Sequence, residues 1–275
     1  MERYFRDEFI GYNLTASQRE LVTQLEAFLT NDAEHVFILK GYAATGKELI
    51  LKGLENYLHK IERGMSLATP TNKSASCLDK MMDGYVSTIH SMIYEYMETK
   101  EPEDGQPQEA SKFIYKLRNN LDSIDHVYVI GESSLLNDEI SDCKYLCYGT
   151  GKLLEDLMNF IDPNAADCRR KVIFIGDDTQ MVPATSALSA LRPSYFKAMY
   201  GDAFPVRIFQ LTDVVDEHLK NLILKNAVHI RHAIEKDRHN RLVFERDAST
   251  MIELDKSQFL PTYLKAYQAV EDNKP

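Results

Sequence analysis

The sequence predicts an α/β fold built on a central, mainly parallel sheet. Three observations predict it: short continuous apolar runs of strand length, stretches between them with apolar residues at helical spacing, and turn residues flanking the strands. The chain has 275 residues, 44% of them hydrophobic, which suffices for one large domain or one domain with a small appendage.

The elements follow in order. Residues 15–30 (TASQRELVTQLEAFLT) carry apolar side chains at helical spacing, with Thr15 or Ser17 near the cap. HVFILKG is a continuous apolar run that ends on Gly41, and a helix follows from about Lys47 to Ile61. SLATP is the next short strand, and residues 71–82 the next helix. This strand–loop–helix–strand order is a βαβ pattern and implies parallel pairing. Residues 99–111 are polar, acidic and hold Pro and Gly, which predicts a loop or small insertion on the sheet's edge. HVYVI (126–130), KVIFI (171–175) and VRIFQL (206–211) are further strands, short and β-branched as central parallel strands tend to be. A long helix is expected from about Val214 to Glu235, then a strand in TMIEL and a helix in SQFLPTYLKAYQAV interrupted by Pro261. There is no internal repeat.

Composition narrows the classes. No run of eighteen apolar residues exists, so no segment is expected to span a membrane. The amino terminus, MERYFRDEF, is charged and lacks a signal peptide's apolar stretch. The four cysteines (Cys77, Cys143, Cys147, Cys168) form no pair of CxxC units. Cys143 and Cys147 alone supply too few ligands for a zinc site, so thiols in a reducing cytoplasm are the simpler reading. A net charge of −10 argues against a protein that coats nucleic acid, but leaves room for a local basic groove.

GYAATGKE, from Gly41 to Glu48, fits G-x-x-x-x-G-K and departs at the last position. It follows a predicted strand and opens a predicted helix, the context that gives the motif its meaning. Backbone N–H groups of Gly41, Ala43, Ala44, Thr45 and Gly46 and the helix N-terminus would cradle phosphate oxygens, with Lys47 neutralising β/γ charge. The bland alternative, a glycine turn that happens to precede a lysine, sits poorly with the flanking strand and helix. Position 48 normally supplies a hydroxyl to Mg²⁺, and here it is Glu48. Ala44 stands where related loops have glycine; if that position needs positive φ, alanine costs on the order of 1 kcal/mol.

At these residues a resemblance becomes specific. LTASQ (14–18) resembles the helicase segment whose glutamine reads adenine, which would be Gln18. ATPTNKSA (68–75) resembles a motif that touches the DNA backbone, and STIHSMIY (87–94) the TIH motif after it. VIGESSLL (129–136) sits where such proteins carry a strand ending in Asp-Glu; GTGKLLEDL (149–157) and FIGDDTQMVP (174–183) resemble the next blocks. FQLTDVVDE (209–217) resembles a segment that usually ends Arg-Gln. In order and spacing, residues from about 12 to 235 resemble the first RecA-like domain of superfamily 1 helicases of the RecD-like and Dda-like branch. The resemblance implies a three-layer RecA-like P-loop NTPase, with ATP and Mg²⁺ as cofactors. It implies a domain over residues 1–240 with an insertion at about 95–122. Residues 241–275 would begin a second helicase domain whose motifs are absent, so the chain alone is not expected to unwind DNA.

The departures fall on catalytic positions. Gly131 replaces an aspartate that holds the Mg²⁺ shell, Asp216 an arginine expected at the γ-phosphate, and Glu217 its glutamine neighbour. Val182 and Ala184 alter the block around Gln180. The resemblance leaves Lys47, Glu132 as candidate general base and Gln180 as candidate γ-phosphate sensor. An arginine contact in phosphoryl transfer is worth ~10³–10⁵ in rate, and Asp216 places negative charge where negative charge develops. Impaired hydrolysis and a weakened or lost Mg²⁺ site are expected. Two readings of Glu48 stay open: it ligates Mg²⁺ in exchange for the carboxylate missing at 131, or it repels the phosphates.

Thr69, Thr71, Ser87, Thr88 and His90 lie at strand-to-helix junctions, where hydroxyls and backbone N–H groups grip phosphates. The motif positions imply a single-stranded DNA track over them. Ordinary N-capping is the competing reading for Thr71 and Thr88, and a satisfied core histidine for His90. The Tyr and Met residues of SMIYEYM read as core rather than as a base-stacking platform. The rival to an ATP-binding helicase domain is a non-catalytic scaffold that uses the fold to bind a protein partner.

Overall fold

Period-two alternation of large apolar side chains makes the sheet a divider between two cores. In β1 (Val36–Gly41), Phe37 and Leu39 face one cluster while Val36 and Ile38 face the other. The same alternation recurs in β6 (Val127–Ile130) and β8 (Lys171–Gly176), so all three strands are buried on both faces. Against the first face pack α1 (Ala16–Thr30), through Leu21 and Leu25, and α2 (Lys47–Lys60), through Ile50 and Leu54. Against the second pack α5 (Leu153–Ile161), through Leu154, Leu157 and Ile161, and α6 (Pro193–Tyr200), through Phe196. Helices on both faces of a parallel sheet make three layers.

This computed structural model describes residues 3–100, 111–140, 145–177, 189–215, 221–236, 238, 242–247 and 251–272. With β2 (Met65–Thr69), β3 (Val86–Thr88) and β9 (Val206–Leu211), the main sheet has six strands in the order β3-β2-β6-β8-β1-β9. Every pairing within it is parallel, with registers such as Ile38 opposite Phe174 and Val36 opposite Val206. The strand carrying the glycine loop and the strand before Glu132 therefore flank β8. All their C-terminal ends lie along one edge, where open α/β sheets place their sites.

Between β3 and β6 come α4 (Ile89–Ile93), β4 (Tyr94–Lys100) and β5 (Lys112–Leu117). Joined by β7 (Leu146–Tyr148), the last two build a separate three-stranded sheet, β4 antiparallel to β5 and β5 parallel to β7. The sequence predicts only a loop or insertion here, because β4 buries Tyr94 and exposes the rest of its length.

The chain divides into two compact units, residues 1–214 and 215–275. The second holds α7 (Leu222–Glu235) and α8 (Lys256–Asp272). α7 starts later than the expected Val214, where Asn221 accepts a hydrogen bond from the Ile223 N–H at 2.9 Å. Asn226, buried, exchanges two bonds of 2.8 Å with the Glu245 backbone. Residues 251–254 form no strand, and α8 runs through Pro261 instead of breaking there. No helix among the described residues is long and apolar enough to cross a membrane.

Candidate phosphate loop and adjoining clefts

Beyond β1 the backbone enters the left-handed region twice, at Ala44 (φ 62°) and Gly46 (φ 78°), before α2 begins. The loop curls far enough for Lys47 Nζ to donate to its own carbonyls, Gly41 O at 2.8 Å and Tyr42 O at 2.7 Å. Gly41 permits this close approach, since a Cβ there would lie 2.9 Å from Lys47 Cδ. Thr45 is buried and donates its hydroxyl to Tyr42 O at 2.8 Å, whereas Ala43 is exposed. This is a curled seat with a lysine over it, and it fits a polyphosphate.

Gln18 ties the loop to the first helix. Its Nε2 donates to Thr45 O at 2.9 Å, its Oε1 accepts from the Thr15 N–H, and its own N–H donates to Thr15 Oγ1. Asp213, past the end of β9, accepts from the Ser17 N–H at 2.9 Å and so holds the start of α1 from the other side. The hydrogen bond from the Ser17 backbone is the main cause that keeps the Asp213 carboxyl below the usual carboxylate range.

Burial pulls the Lys47 pKa below the ordinary lysine value, and Glu48, Asp177 and Glu132 act against that pull. Asp177, buried at the end of β8, was not singled out by sequence reasoning. Its signal was present all the same: a carboxylate directly after a buried strand, on the site-bearing edge of the sheet. Glu132 is exposed and takes a left-handed φ of 51° just beyond β6. Among the described residues no three His, Cys, Asp or Glu converge as a metal cage. A Mg²⁺ ion carried by phosphate needs only one or two protein carboxylates, and Glu48 and Glu132 line the cleft beside the loop while Asp177 acts on Lys47.

A cleft of about 400 Å³ opens beside the loop, lined by Lys47, Glu48, Thr69, Gly131 and Glu132. Glu48 and Gly131, the two positions where the resemblance expects metal-site residues, thus open on one space. A Cβ at Gly131 would lie 3.3 Å from Thr69 Cγ2 and 3.4 Å from Leu78 Cδ2, so it would fit with a shift of a few tenths of an ångström by the Thr69 methyl.

A second cleft, of about 600 Å³, gathers Thr71, Thr88 and His90. Thr71 caps α3 (Asn72–Asp79) by accepting from the Ser74 N–H, and Thr88 caps α4 by accepting from the Ser91 N–H, both at 3.2 Å. Capping and cleft-lining therefore coexist in the same two residues. His90 is half-buried against Tyr148 and Tyr94, with ring centroids 4.8 and 5.8 Å away, and burial lowers its pKa. Of the expected core residues in SMIYEYM, Tyr94 is buried and Tyr96 exposed. Thr69 is buried, with its hydroxyl donating to Thr71 O at 2.9 Å, while Ser87 lines neither cleft. Gln180, Val182, Ala184, Asp216, Glu217 and Cys143 lie outside the described residues. Tyr115 and Tyr148, which also line the second cleft, went unnoticed in the sequence, because only non-local strand pairing brings them there.

Comparison with known proteins places the chain in a family. The AAA domain family matches residues 24–186, more than half of the chain. No curated protein matches it significantly. Among solved structures it is similar to the Bacteroides sp Pif1 in complex with ADP-AlF4, at 16% identity and TM-score 0.40, over 78% of this chain and 46% of that one. It is similar to the Candida albicans Pif1 helicase at 15% identity and TM-score 0.42, over 78% and 44%. The Bacteroides Pif1 helicase with ADP-AlF3 and ssDNA gives 15% identity and TM-score 0.40, over 92% and 57%. The chain spans about half the length of these proteins.

Proposed function

The chain belongs to the AAA domain family, a P-loop NTPase class that binds ATP with Mg²⁺, and from that premise we propose a more specific role. It is the nucleotide-binding domain of a RecD-like superfamily 1 DNA helicase, coupling ATP binding to single-stranded DNA binding, with hydrolysis impaired. The observation that carries the reading is the curled loop after β1, with Lys47 folded onto Gly41 O and Tyr42 O. On nucleotide binding Lys47 exchanges those carbonyls for phosphate oxygens, a change that favours its charged form. The reading assigns Gln18 to adenine, Glu132 to the general base and Gln180 to sensing the γ-phosphate. The Thr71–Thr88–His90 cleft takes the strand. Mg²⁺, when bound, offsets phosphate charge, and Glu48 is its candidate ligand from this chain. Gly131, Asp216 and Glu217 make turnover slow, and unwinding requires a second motor domain.

The decisive test is ATP binding by calorimetry with and without Mg²⁺, beside Lys47→Ala and Glu48→Ala. Binding that disappears in Lys47→Ala supports the reading, and Mg²⁺ dependence that disappears in Glu48→Ala assigns the metal to Glu48. Absence of ATP binding in the unaltered chain overturns it. That result would favour a scaffold for a protein partner, a reading supported by α8, where Phe259, Leu260, Tyr263, Leu264 and Tyr267 are all exposed.

A further inference from the structure

The segment after β2 divides between the two clefts. Thr71 and Asn72 line the second, whereas the next two residues, Lys73 and Ser74, line the first together with Lys47, Glu48 and Glu132. Helix geometry makes the division. α3 begins at Asn72, and its side chains at spacings of three and four share a face. Cys77 and Leu78, one turn after Lys73 and Ser74, line the same first cleft, so that face of α3 is its wall.

Lys73 is exposed, and among the described residues it has neither a hydrogen bond nor an ion pair. Other lysines on this side of the sheet are occupied: Lys47 donates to Gly41 O and Tyr42 O, and Lys52 pairs with Glu55 and Asp83. Lys73 therefore brings an uncommitted positive charge to the cleft. The charge balance there calls for one. Lys47 already feels three carboxylates, Glu48, Asp177 and Glu132, and a bound polyphosphate adds negative charge to theirs. Gly131 keeps the intervening space open, because a Cβ there would point toward α3, 3.4 Å from Leu78 Cδ2.

We propose that Lys73 is the second cation of the nucleotide site, reaching across the first cleft to the terminal phosphate of a nucleoside triphosphate. The proposal rests on the reading of the curled loop as a phosphate site, and adds a residue from a different element. Lys47 holds phosphate at the loop. Lys73 stands on the facing wall, beside the Glu132 to which that reading gives the reacting phosphate. A diphosphate held by the loop has no group extending to that wall, so Lys73 makes the chain distinguish triphosphate from diphosphate. The contact is a charge-assisted hydrogen bond, stronger than one between neutral groups.

The test is calorimetric titration of the unaltered chain, Lys73→Gln and Lys73→Arg with ATP and with ADP, both in Mg²⁺. Fluorescence anisotropy of a labelled single-stranded oligonucleotide is measured on the same three proteins. The unaltered chain should bind ATP about tenfold tighter than ADP, within the range of one hydrogen bond to a charged group. Lys73→Gln should bring ATP down to the ADP level and leave ADP affinity unchanged, Lys73→Arg should keep the preference, and oligonucleotide affinity should not move. An ATP preference that survives in Lys73→Gln overturns the assignment while leaving the phosphate loop in place. So does equal binding of ATP and ADP by the unaltered chain, an arm that needs no variant to fold. Loss of oligonucleotide affinity in Lys73→Gln with the ATP preference intact gives the lysine to a DNA backbone instead. Failure of the unaltered chain to bind either nucleotide overturns the loop reading and the role of Lys73 together.

Discussion

Ala44 holds a φ of 62° in the loop after β1, a backbone region that favours glycine. A Cβ in that region crowds the neighbouring carbonyl and costs roughly 1–2 kcal/mol, part of which glycine's greater freedom in the unfolded chain would cancel. Ala44→Gly is therefore expected to stabilise the folded chain by about 1 kcal/mol and leave ATP affinity equal or higher. Urea denaturation reads the first effect, and an unchanged or lowered midpoint would show that the loop is not strained. The motif marks this position in the sequence, but only the folded backbone shows its positive φ. Gln18 is a similar case. Its motif position gives only an expectation of a role, whereas its bond to Thr45 O, linking the first helix to the glycine loop, required the two segments to meet in space.

At the scale of elements, the accessory sheet depends on one buried carboxylate. Asp156, in the first turn of α5, accepts from the Tyr94 hydroxyl, the Thr150 N–H and the Thr150 hydroxyl at 2.7 to 2.9 Å. The turn before it comes so close that a Cβ on Gly149, at φ 43°, would lie 2.2 Å from Asp156 Oδ2. Replacing the carboxylate leaves buried donors without an acceptor. Asp156→Ala is expected to cost about 3 kcal/mol, as measured by thermal or urea unfolding. A loss under about 0.5 kcal/mol would mean that water replaces the carboxylate and that the sheet is held by other contacts. None of this network was legible beforehand: GTGKLLEDL stood out as a motif block, but neither β7 nor its pairing with β5 has a local signature.

For the molecule as a whole, pH reaches stability through two histidines that burial keeps neutral. His90 sits in the second cleft, and His126 at the start of β6 shares a 2.9 Å hydrogen bond with Ser66 Oγ. Desolvation is the largest cause of the lowered pKa in both; for His126 Arg170 adds to it and Asp122 opposes it. The sign follows from proton linkage. Below about pH 6.5 the unfolded chain takes up protons that these folded side chains resist, so stability falls as pH drops from there toward their folded pKa values. It is fully present above that range. Urea midpoints recorded from pH 7.5 to 5.5 should decline, and His126→Gln should flatten part of the decline. A profile with no slope in that window would mean that both rings titrate alike in the folded and unfolded chain.

What the sequence determined by itself was whatever depends on neighbours in the chain. Apolar runs of strand length marked β1, β6, β8 and β9, helical spacing marked α1 and α2, and a glycine loop between strand and helix marked the candidate phosphate site. Parallel order followed, because consecutive strands separated by helices have few other ways to pair. Tertiary structure decided whatever depends on residues that meet only on folding. It placed β8 between β1 and β6, brought Asp177 to Lys47, and opened one cleft on both Glu48 and Gly131. It also set Tyr115 against Tyr148 across strands that are more than thirty residues apart in the chain. Those contacts come from sheet register and loop closure, which no local pattern of side chains encodes.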